Sequence, residues 1–335
     1  MALLSVWGII LVVLGHSGFE EPIIQSELSG LHSWIYSFHM PLFFLISGYL
    51  FSLTNPEFEK ACTGKFVQKK IKRLLIPYVV IGTVIFGVKY VFAGLSHATR
   101  VFSVENFFKM FVIPSADYST IGHLWYVFTL FMIFLVVLVL IGVRLIADKR
   151  LWSVALAIGG LWLLDSVLPT IQLFNGSSVL YYAPYFLIGI LLQRYYEQVG
   201  CLFETSSWGG QKCILYFTLT IVLTFIHVSG LCYMILRAIC GILLSLSLCD
   251  FIMKHLPRLE ETMVHFSNKT YTIYLLSWFG HYIMKFALVN VLDMHYLIVV
   301  AGMFIGGLLF PLAICRLIDR VSLLNKRNLR IIIGY

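Results

Sequence analysis

Residues 38–49 read FHMPLFFLISGY, and residues 11–16 read LVVLGH. Each run places one histidine, His39 or His16, in a stretch that is otherwise apolar enough to lie in lipid. Histidine titrates near neutral pH, so an imidazole within an apolar segment requires a reason. One reason is structural, a neutral ring that donates a hydrogen bond to a neighbouring helix. The other is a shared site, since both histidines are expected at a similar depth.

The composition indicates the class of protein. Of the 335 residues, 60% are hydrophobic and only 12% are charged, which is too few charges to cover a soluble globule. The long apolar runs favour helices, because the alternating ten-residue segments of an outer-membrane barrel are absent. We therefore expect an all-α polytopic membrane bundle that forms one integral-membrane domain over residues 1–335.

Ten apolar segments are candidate membrane spans. Each has about 15 to 23 residues, close to what a hydrocarbon core of roughly 30 Å requires of a helix. The segments are 2–16, 32–53, 76–95, 122–143, 151–168, 179–196, 213–229, 231–252, 270–291 and 296–315. Because the number of spans is even, both termini are expected on the same side of the membrane.

The basic residues orient this bundle. The chain has 24 Lys and Arg residues and a net charge of +8. Most of them fall in the loops of one side, whereas the loops of the other side contain only Arg100 and Lys109. Cytoplasmic loops carry the excess of Lys and Arg, so both termini are expected in the cytoplasm. The positive charge then marks cytoplasmic loops and does not indicate a nucleic-acid partner.

Several familiar chemistries are missing from the sequence. The seven cysteines include no CxxC pair and no metal-ligand spacing, so we expect neither a structural disulfide nor a metal site. No Walker loop, GxSxG elbow or HExxH motif occurs. The first apolar run lacks the basic start and small-residue cleavage site of a signal peptide, so it is expected to remain as a span.

A basic segment at residues 58–75 follows the second span and includes KFVQKKIKRLLIPY at 65–78. Its apolar and basic residues fall on adjacent helical faces, which predicts an amphipathic helix at the inner membrane surface that ends at Pro77. One possible role is contact with anionic lipid, at about 1 kcal/mol per basic residue. The other is binding of an anionic cytoplasmic ligand, because Lys70 and Arg73 can hold a phosphate jointly.

Five blocks of sequence follow one another along the chain: LVVLGH at 11–16, FHMPLFFLISG at 38–48, the basic run KFVQKKIKRLLIP at 65–77, GHLWY at 122–126 and FSNKTYTIYLL at 266–276. A weaker sixth block, YAPYFLIG, occupies 182–189. In this order the blocks resemble the acyltransferase 3 family, the bacterial integral-membrane acyltransferases that O-acetylate surface carbohydrates. The chain resembles the stand-alone members, which have no fused hydrolase-like domain.

The resemblance implies transfer of an acyl group, usually acetyl from acetyl-CoA, to a sugar hydroxyl in a glycan or lipid-linked saccharide. It implies that His16 takes the proton from the acceptor hydroxyl or relays the acyl group, and His39 matches the histidine of the family's second-span block. We expect His16 to act as the general base and His39 to assist it as a second catalytic residue. It also implies that Lys70 and Arg73 bind the phosphates of CoA, and we expect the neighbouring Lys69 to contribute to the same contact. The expected location is the bacterial inner membrane, with membrane lipids as neighbours.

Further ionisable residues are expected in the outer half of the bundle. Burying them in lipid is costly unless they pair or line a polar cavity. Asp165 could neutralise Lys89 or Arg237, which would be a purely structural role. As a set they predict an outward-facing substrate pocket whose positive charge suits acidic sugars or lipid phosphates. The predicted pocket residues are Lys89, His123, Trp125, Asp165, Arg237, His281 and Lys285.

Two positions depart from the family's pattern. The family usually has Arg or Lys eleven residues before the first-span histidine, on the same helical face, where this chain has Ser5. Either the contact to CoA is made elsewhere or the activity is lost. Many relatives have a histidine after Ile-Tyr-Leu-Leu, where this chain has Ser277, with His281 about one turn later.

Two other classes of protein share these features. A transporter or flippase of a polar saccharide or lipid-linked intermediate would have the same spans, cavity and intramembrane charges, and Ser5 would suit a relative that only binds or moves its substrate. A sensor or scaffold subunit is the third alternative, and it requires that neither histidine matter for the phenotype. Incorporation of labelled acetyl groups into glycan separates the enzyme from the other two.

Overall fold

The fold of the chain is all-helical in its described part. Helix accounts for 87% of the described residues, and none of these residues lies in a strand. The predicted all-α class is therefore confirmed. The computed structural model describes residues 1–18, 22–55, 57–58, 64–91, 102–114, 119–146, 150–204, 210–226, 228–320 and 332–333.

The α-helices of the described residues differ widely in length, from a single turn to seven turns. Two π-helical segments, Ile71–Leu75 and Phe286–Val291, continue the helices that precede them. In chain order the α-helices are α1 (Ala2–Gly15), α2 (Pro22–Glu27), α3 (Ser29–Thr54), α4 (Gly64–Lys70), α5 (Ile76–Val91), α6 (Val104–Val112), α7 (Trp125–Gly142), α8 (Leu151–Val167), α9 (Gly176–Arg194), α10 (Tyr196–Val199), α11 (Gln211–Phe225), α12 (Leu231–His255), α13 (Pro257–His265), α14 (Thr270–Lys285) and α15 (Tyr296–Arg320).

Six helical segments of the described residues are long and apolar enough to cross a membrane. Several crossings by one chain make this a multi-pass membrane protein. Three further helices, α1, α8 and α11, are apolar but shorter. The six long segments are Ser29–Thr54, Gly64–Val91, Gly122–Gly142, Leu173–Arg194, Leu231–His255 and Tyr296–Arg320.

The ten expected spans are thus supported only in part. Helix α1 has 14 residues, and at about 1.5 Å per residue it covers roughly 21 Å of a 30 Å hydrocarbon core. The expected span 270–291 is helical throughout, α-helical to Lys285 and π-helical to Val291, but polar side chains such as His281 and Lys285 lower its apolar character. Residues 59–63 of the basic segment, 92–95 of the third expected span and 227 lie outside the described residues.

The expectation that a helix ends at Pro77 is wrong. Helices α4 and α5 are joined by the π-helical turn Ile71–Leu75, in which the Ile76 amide donates to the Ile71 carbonyl five residues back. Proline has no N–H, and its ring crowds the carbonyl four residues earlier in an α-helix. A π turn just before the proline changes that register, so the chain remains helical from Gly64 to Val91.

The chain divides into two compact units. The first unit comprises Met1–Ser47 and Leu192–Ser322, and the second unit comprises Gly48–Leu191 and Leu323–Tyr335. The first unit contains α1, most of α3 and the helices α10 to α15. The second unit contains the end of α3 and the helices α4 to α8, together with nearly all of α9.

Helix α1 lies at the centre of the first unit, where it contacts α12, α13, α14 and α15. Its buried residues are spread around the whole helix, as expected for a helix that neighbours surround. Helices α14 and α15 approach each other closely at Gly280, where an added Cβ would overlap the Gly306 carbonyl oxygen. This packing places His281 of α14 beside Val13, near the end of α1.

Aromatic side chains fill the core of the second unit. The rings of Phe51, Phe66, Phe134 and Phe186 contact one another with centroids 5.3 to 6.0 Å apart. Such edge-to-face and tilted pairs add to the stabilisation that burial provides. Gly48 permits the helix to approach this core, because a Cβ there would overlap the Phe186 carbonyl oxygen.

Candidate active site

The first feature of the site is the end of α1, which carries His16. The His16 amide donates to the Val12 carbonyl at 3.1 Å, which closes the last turn. The Ser17 hydroxyl donates to the Val13 carbonyl at 2.7 Å. The chain then turns at Gly18, whose φ of +88° favours glycine. The imidazole of His16 therefore projects from a helix C-terminus and is half-buried.

The second feature is one face of α3. His32, Tyr36 and His39 are spaced by four and three residues, which places them on the same side of the helix. The centroids of His32 and Tyr36 are 3.9 Å apart, and those of Tyr36 and His39 are 4.7 Å apart. The three rings form a column along α3, with the tyrosine in the middle.

Tyr36 joins the two features. Its hydroxyl forms a hydrogen bond of 3.2 Å with Nδ1 of His16, and the two ring centroids are 5.9 Å apart. The structure thus places both expected catalytic histidines, His16 and His39, against one tyrosine ring. We call the set His16, His32, Tyr36 and His39 the imidazole cluster.

His39 is the most deeply buried residue of the imidazole cluster, with 1% of its surface exposed. Its Nδ1 lies 2.8 Å from the Ile35 carbonyl oxygen one turn earlier. A carbonyl can only accept, so Nδ1 carries the proton, and a neutral His39 has its lone pair on Nε2. The structural alternative was a hydrogen bond to a neighbouring helix, whereas this hydrogen bond lies within α3 itself.

His281 of α14 lies beside α1, the helix whose end carries His16. It is 5% exposed, and its Nε2 has no hydrogen-bond partner among the described residues. A Cβ added to Gly307 of α15 would overlap this nitrogen and would lie 2.8 Å from Cγ1 of Val13 on α1. The imidazole therefore lies between α1 and α15. The hydroxyl of Ser277, one turn earlier, is directed at the Tyr274 carbonyl of its own helix.

Ser5, where the family usually has a basic residue, has a local partner. Its hydroxyl donates to the Met1 carbonyl at 3.1 Å, within the first turn of α1. Trp7, half a turn later, donates its indole N–H to the Ser245 hydroxyl at 3.2 Å. This end of α1 is thus held by neutral hydrogen bonds.

The basic residues of α4 and the following turn have different surroundings. Lys69 and Arg73 are exposed, whereas Lys70 is half-buried. The ammonium of Lys70 lies 3.7 Å from the ring centroid of Phe134 and 5.1 Å from that of Phe66. A cation over an aromatic face is stabilised by the ring quadrupole. Lys70 therefore packs with the aromatic core of the second unit, while Lys69 and Arg73 remain accessible to an anion.

Four of the predicted pocket residues belong to the second unit, and all of them are half-buried. Lys89 donates to the Thr120 carbonyl. His123 lies in the 3₁₀ turn Gly122–Leu124, directly before α7. Trp125 begins α7, and its ring centroid is 5.3 Å from that of Tyr182. Asp165 lies near the end of α8.

The other three predicted pocket residues belong to the first unit. The guanidinium of Arg237 donates to the carbonyl of Ser33 at 2.9 Å and to its hydroxyl at 3.1 Å. Arg237 thereby ties α12 to the first turns of α3. Lys285 is half-buried at the end of α14. His281 is the one of the three that lies between α1 and α15.

Sequence reasoning did not single out His32 and Tyr36. Their signal was present in the sequence, because they precede His39 by seven and three residues, the spacing of one helical face. No group of three or more His, Cys, Asp or Glu side chains in the described ranges could hold a metal ion. An imidazole can exchange a proton near neutral pH and can form hydrogen bonds, and both properties are available in the imidazole cluster.

Comparisons with known proteins identify the family. The family model for an acyltransferase domain, that of the acyltransferase 3 family, matches residues 3–316, which is nearly the whole chain. Searches among curated proteins and among solved structures found no match. The matched range includes the imidazole cluster and the basic residues of α4. The chain belongs to the acyltransferase 3 family.

Proposed function

We propose that this membrane acyltransferase moves an acyl group, in the simplest case acetyl from acetyl-CoA, to a hydroxyl of a cell-surface or lipid-linked saccharide. The observation that supports it best is the imidazole of His16, held at the end of α1 by the hydroxyl of Tyr36. An imidazole is the usual general base near neutral pH. The proposed location is the inner membrane of a bacterium.

In the proposed reaction His16 is the general base. It takes the proton of the acceptor hydroxyl while the hydroxyl oxygen forms a bond to the thioester carbonyl carbon. The carbon–sulfur bond then breaks, and the leaving thiolate takes the proton back from the imidazolium. The products are an ester and the free thiol of CoA. The partial negative charge at a helix C-terminus favours the imidazolium that forms transiently at His16.

His39 is proposed as an assisting residue. Because its Nδ1 is committed to the Ile35 carbonyl, any contribution to proton transfer has to use Nε2. Its contact with Tyr36 also supports the ring that holds His16. Replacement of His39 is therefore expected to be less damaging than replacement of His16.

The proposed CoA contacts are the basic residues of α4 and the following turn. Lys69 and Arg73 are exposed and can form charge-assisted hydrogen bonds with phosphate oxygens, and the planar guanidinium of Arg73 can form two at once. Lys70 contributes positive charge to the same segment while its stem and ammonium pack on aromatic rings. The family's basic residue at position 5 is then not required for this contact.

The acceptor class is proposed from charge. Within the second unit Lys89 is a cation, and within the first unit Arg237 and Lys285 are; positive charge of this kind suits an acidic sugar or a lipid-linked phosphate. His123 and His281 offer imidazole nitrogens for hydrogen bonds. Trp125 and Asp165 offer an aromatic face and a carboxylate. Their role as substrate-binding residues remains a prediction.

The test uses the full chain in membranes of a host that makes the candidate acceptor glycan. Labelled acetyl-CoA is supplied, and mass spectrometry of the glycan detects the added acetyl groups. Incorporation with the wild-type chain, and its loss with His16→Gln at an equal membrane level, would support the proposal. A wild-type chain that leaves the glycan unmodified would refute it.

A transporter or flippase is the second candidate. The observation that favours it is Ser5, whose hydroxyl bonds to its own backbone in place of offering a charge to CoA. Such a protein would move a labelled lipid-linked saccharide across proteoliposomes without acetyl-CoA. If this transport occurs and acetyl transfer does not, the second candidate replaces the first.

A further inference from the structure

Tyr36 lies at the centre of the imidazole cluster. Its ring contacts His32 on one side and His39 on the other, and its hydroxyl contacts His16. With 39% of its surface exposed, the side chain is also accessible from outside the cluster. A tyrosine held between two rings on its own helix presents its hydroxyl in a narrow range of positions.

The approach of Tyr36 to α1 depends on Gly15. A Cβ added to Gly15 would lie 3.1 Å from Cε2 of Tyr36 and 3.2 Å from Cγ2 of Ile35. Both distances are closer than ordinary van der Waals contact. The glycine directly before His16 thus gives α3 the space to place the tyrosine beside the imidazole.

We propose that Tyr36 is the positioning residue for His16. In this proposal, which rests on the proposed function, Nδ1–H of His16 donates to the hydroxyl oxygen of Tyr36. Nε2 then carries the lone pair and is the nitrogen that takes the proton from the acceptor hydroxyl. A base that is itself oriented by a third group is the general arrangement of side chains that activate a hydroxyl.

The reverse arrangement would not support the reaction. If the tyrosine hydroxyl donated to Nδ1, a neutral His16 would carry its proton on Nε2 and could not accept another there. In the proposed arrangement the hydrogen bond persists when His16 becomes an imidazolium, because both ring nitrogens are then donors. The ring consequently keeps its orientation between the uptake and the return of the proton.

Removal of the hydroxyl tests the proposal. Tyr36→Phe keeps the ring contacts to His32 and His39 and loses the oxygen. We expect kcat to fall about 10- to 100-fold, a part of the total contribution of general-base catalysis, with an unchanged KM for acetyl-CoA and an unchanged melting temperature. The control is Tyr282→Phe on α14, whose ring stacks on Trp278, and which should behave as the wild type.

A second substitution distinguishes acceptance from donation. Tyr36→O-methyltyrosine, introduced by codon reassignment, retains an oxygen that accepts but cannot donate. It should recover more activity than Tyr36→Phe, whereas Tyr36→4-aminophenylalanine, mainly a donor, should not. An O-methyltyrosine variant no better than the Phe variant would overturn the proposal, and so would full kcat in Tyr36→Phe. If the wild-type chain itself does not acylate, the proposed function fails instead.

Discussion

His16 combines a helix C-terminus, a hydrogen bond to Tyr36 and partial exposure. These features suit an imidazole that gains and loses a proton during each turnover. Gln has similar hydrogen-bonding groups but does not accept a proton at neutral pH. At the scale of single residues, the imidazole of His16 is therefore where the proposed chemistry is most sensitive.

His16→Gln is expected to reduce acyl transfer by at least about 100-fold, the lower end of what general-base catalysis contributes. The melting temperature and the amount in the membrane should not change, because Gln keeps a polar side chain with hydrogen-bonding groups at this half-buried position. Transfer of labelled acetyl groups by the purified protein measures the effect. His265→Gln, at an exposed position, is the matched control, and an active His16→Gln protein would exclude His16 as the base.

Gly307 determines the space for His281. Gly307→Ala would push a Cβ into Nε2 of His281 and against Val13, so we expect a loss of stability of about 1 to 3 kcal/mol and a lower kcat. Thermal unfolding in detergent and the transfer assay measure the two effects. Gly87→Ala is the control, because nothing lies within 4 Å of the added Cβ. Equal behaviour of the two variants would mean that α15 can move away without cost.

At the scale of elements, the segment from α4 to α5 contains one basic residue that can bind a ligand, Arg73, and one that packs against the core, Lys70. Arg73→Ala should raise the KM for acetyl-CoA without changing the melting temperature, because the side chain is exposed. Lys70→Ala should raise the KM and also lower the melting temperature, since it loses a partly desolvated cation–π contact worth about 1 to 2 kcal/mol. Enzyme kinetics and thermal unfolding of both variants test this.

Lys109→Ala is the control for these two variants. Lys109 pairs with Glu105 on the exposed side of α6, and its loss should change neither KM nor the melting temperature. A Lys70→Ala protein as stable as the control would show that the contact with Phe134 contributes no stability. An unchanged KM in Arg73→Ala would remove this segment from the proposed CoA site.

The same segment shows where local rules reach their limit. Pro77 predicts the end of a helix, because proline lacks an N–H and disfavours the α conformation before it. The π turn Ile71–Leu75 accommodates Pro77 in the helix that follows, so a single helical segment continues to Val91. Which of two backbone registers a proline selects depends on the packing around it, and that is not encoded in the neighbouring residues alone.

At the scale of the whole molecule, the prediction concerns topology. The distribution of Lys and Arg predicts cytoplasmic termini, which places the loop before α11 in the cytoplasm and the start of α12 on the outer side. Cys201 and Cys232 lie in these two places, and both are exposed. In single-cysteine variants, an impermeant maleimide should label Cys232 in intact cells and Cys201 only after permeabilisation. Labelling in the opposite order would reverse the orientation.

The sequence by itself determined the membrane class and the all-helical fold, because long apolar runs can satisfy their backbone hydrogen bonds in lipid only as helices or closed barrels. It also determined the family, through the five blocks that carry the resemblance. It also singled out His16 and His39, as ionisable residues in apolar segments. Six of its ten apolar runs contain helices that are long and apolar enough to cross, counted over the described residues, since an apolar run such as α1 can also form a shorter helix packed among others.

Only the tertiary structure decided which side chains meet. The contact of Tyr36 with His16 joins two helices through Gly15, and His281 reaches the same helix end because Gly307 leaves it room. It also turned Lys70 toward Phe134, while Arg73, three residues later, remained exposed. The physical reason is that such contacts depend on the distance and rotation between packed helices, which residues far apart in the chain determine together.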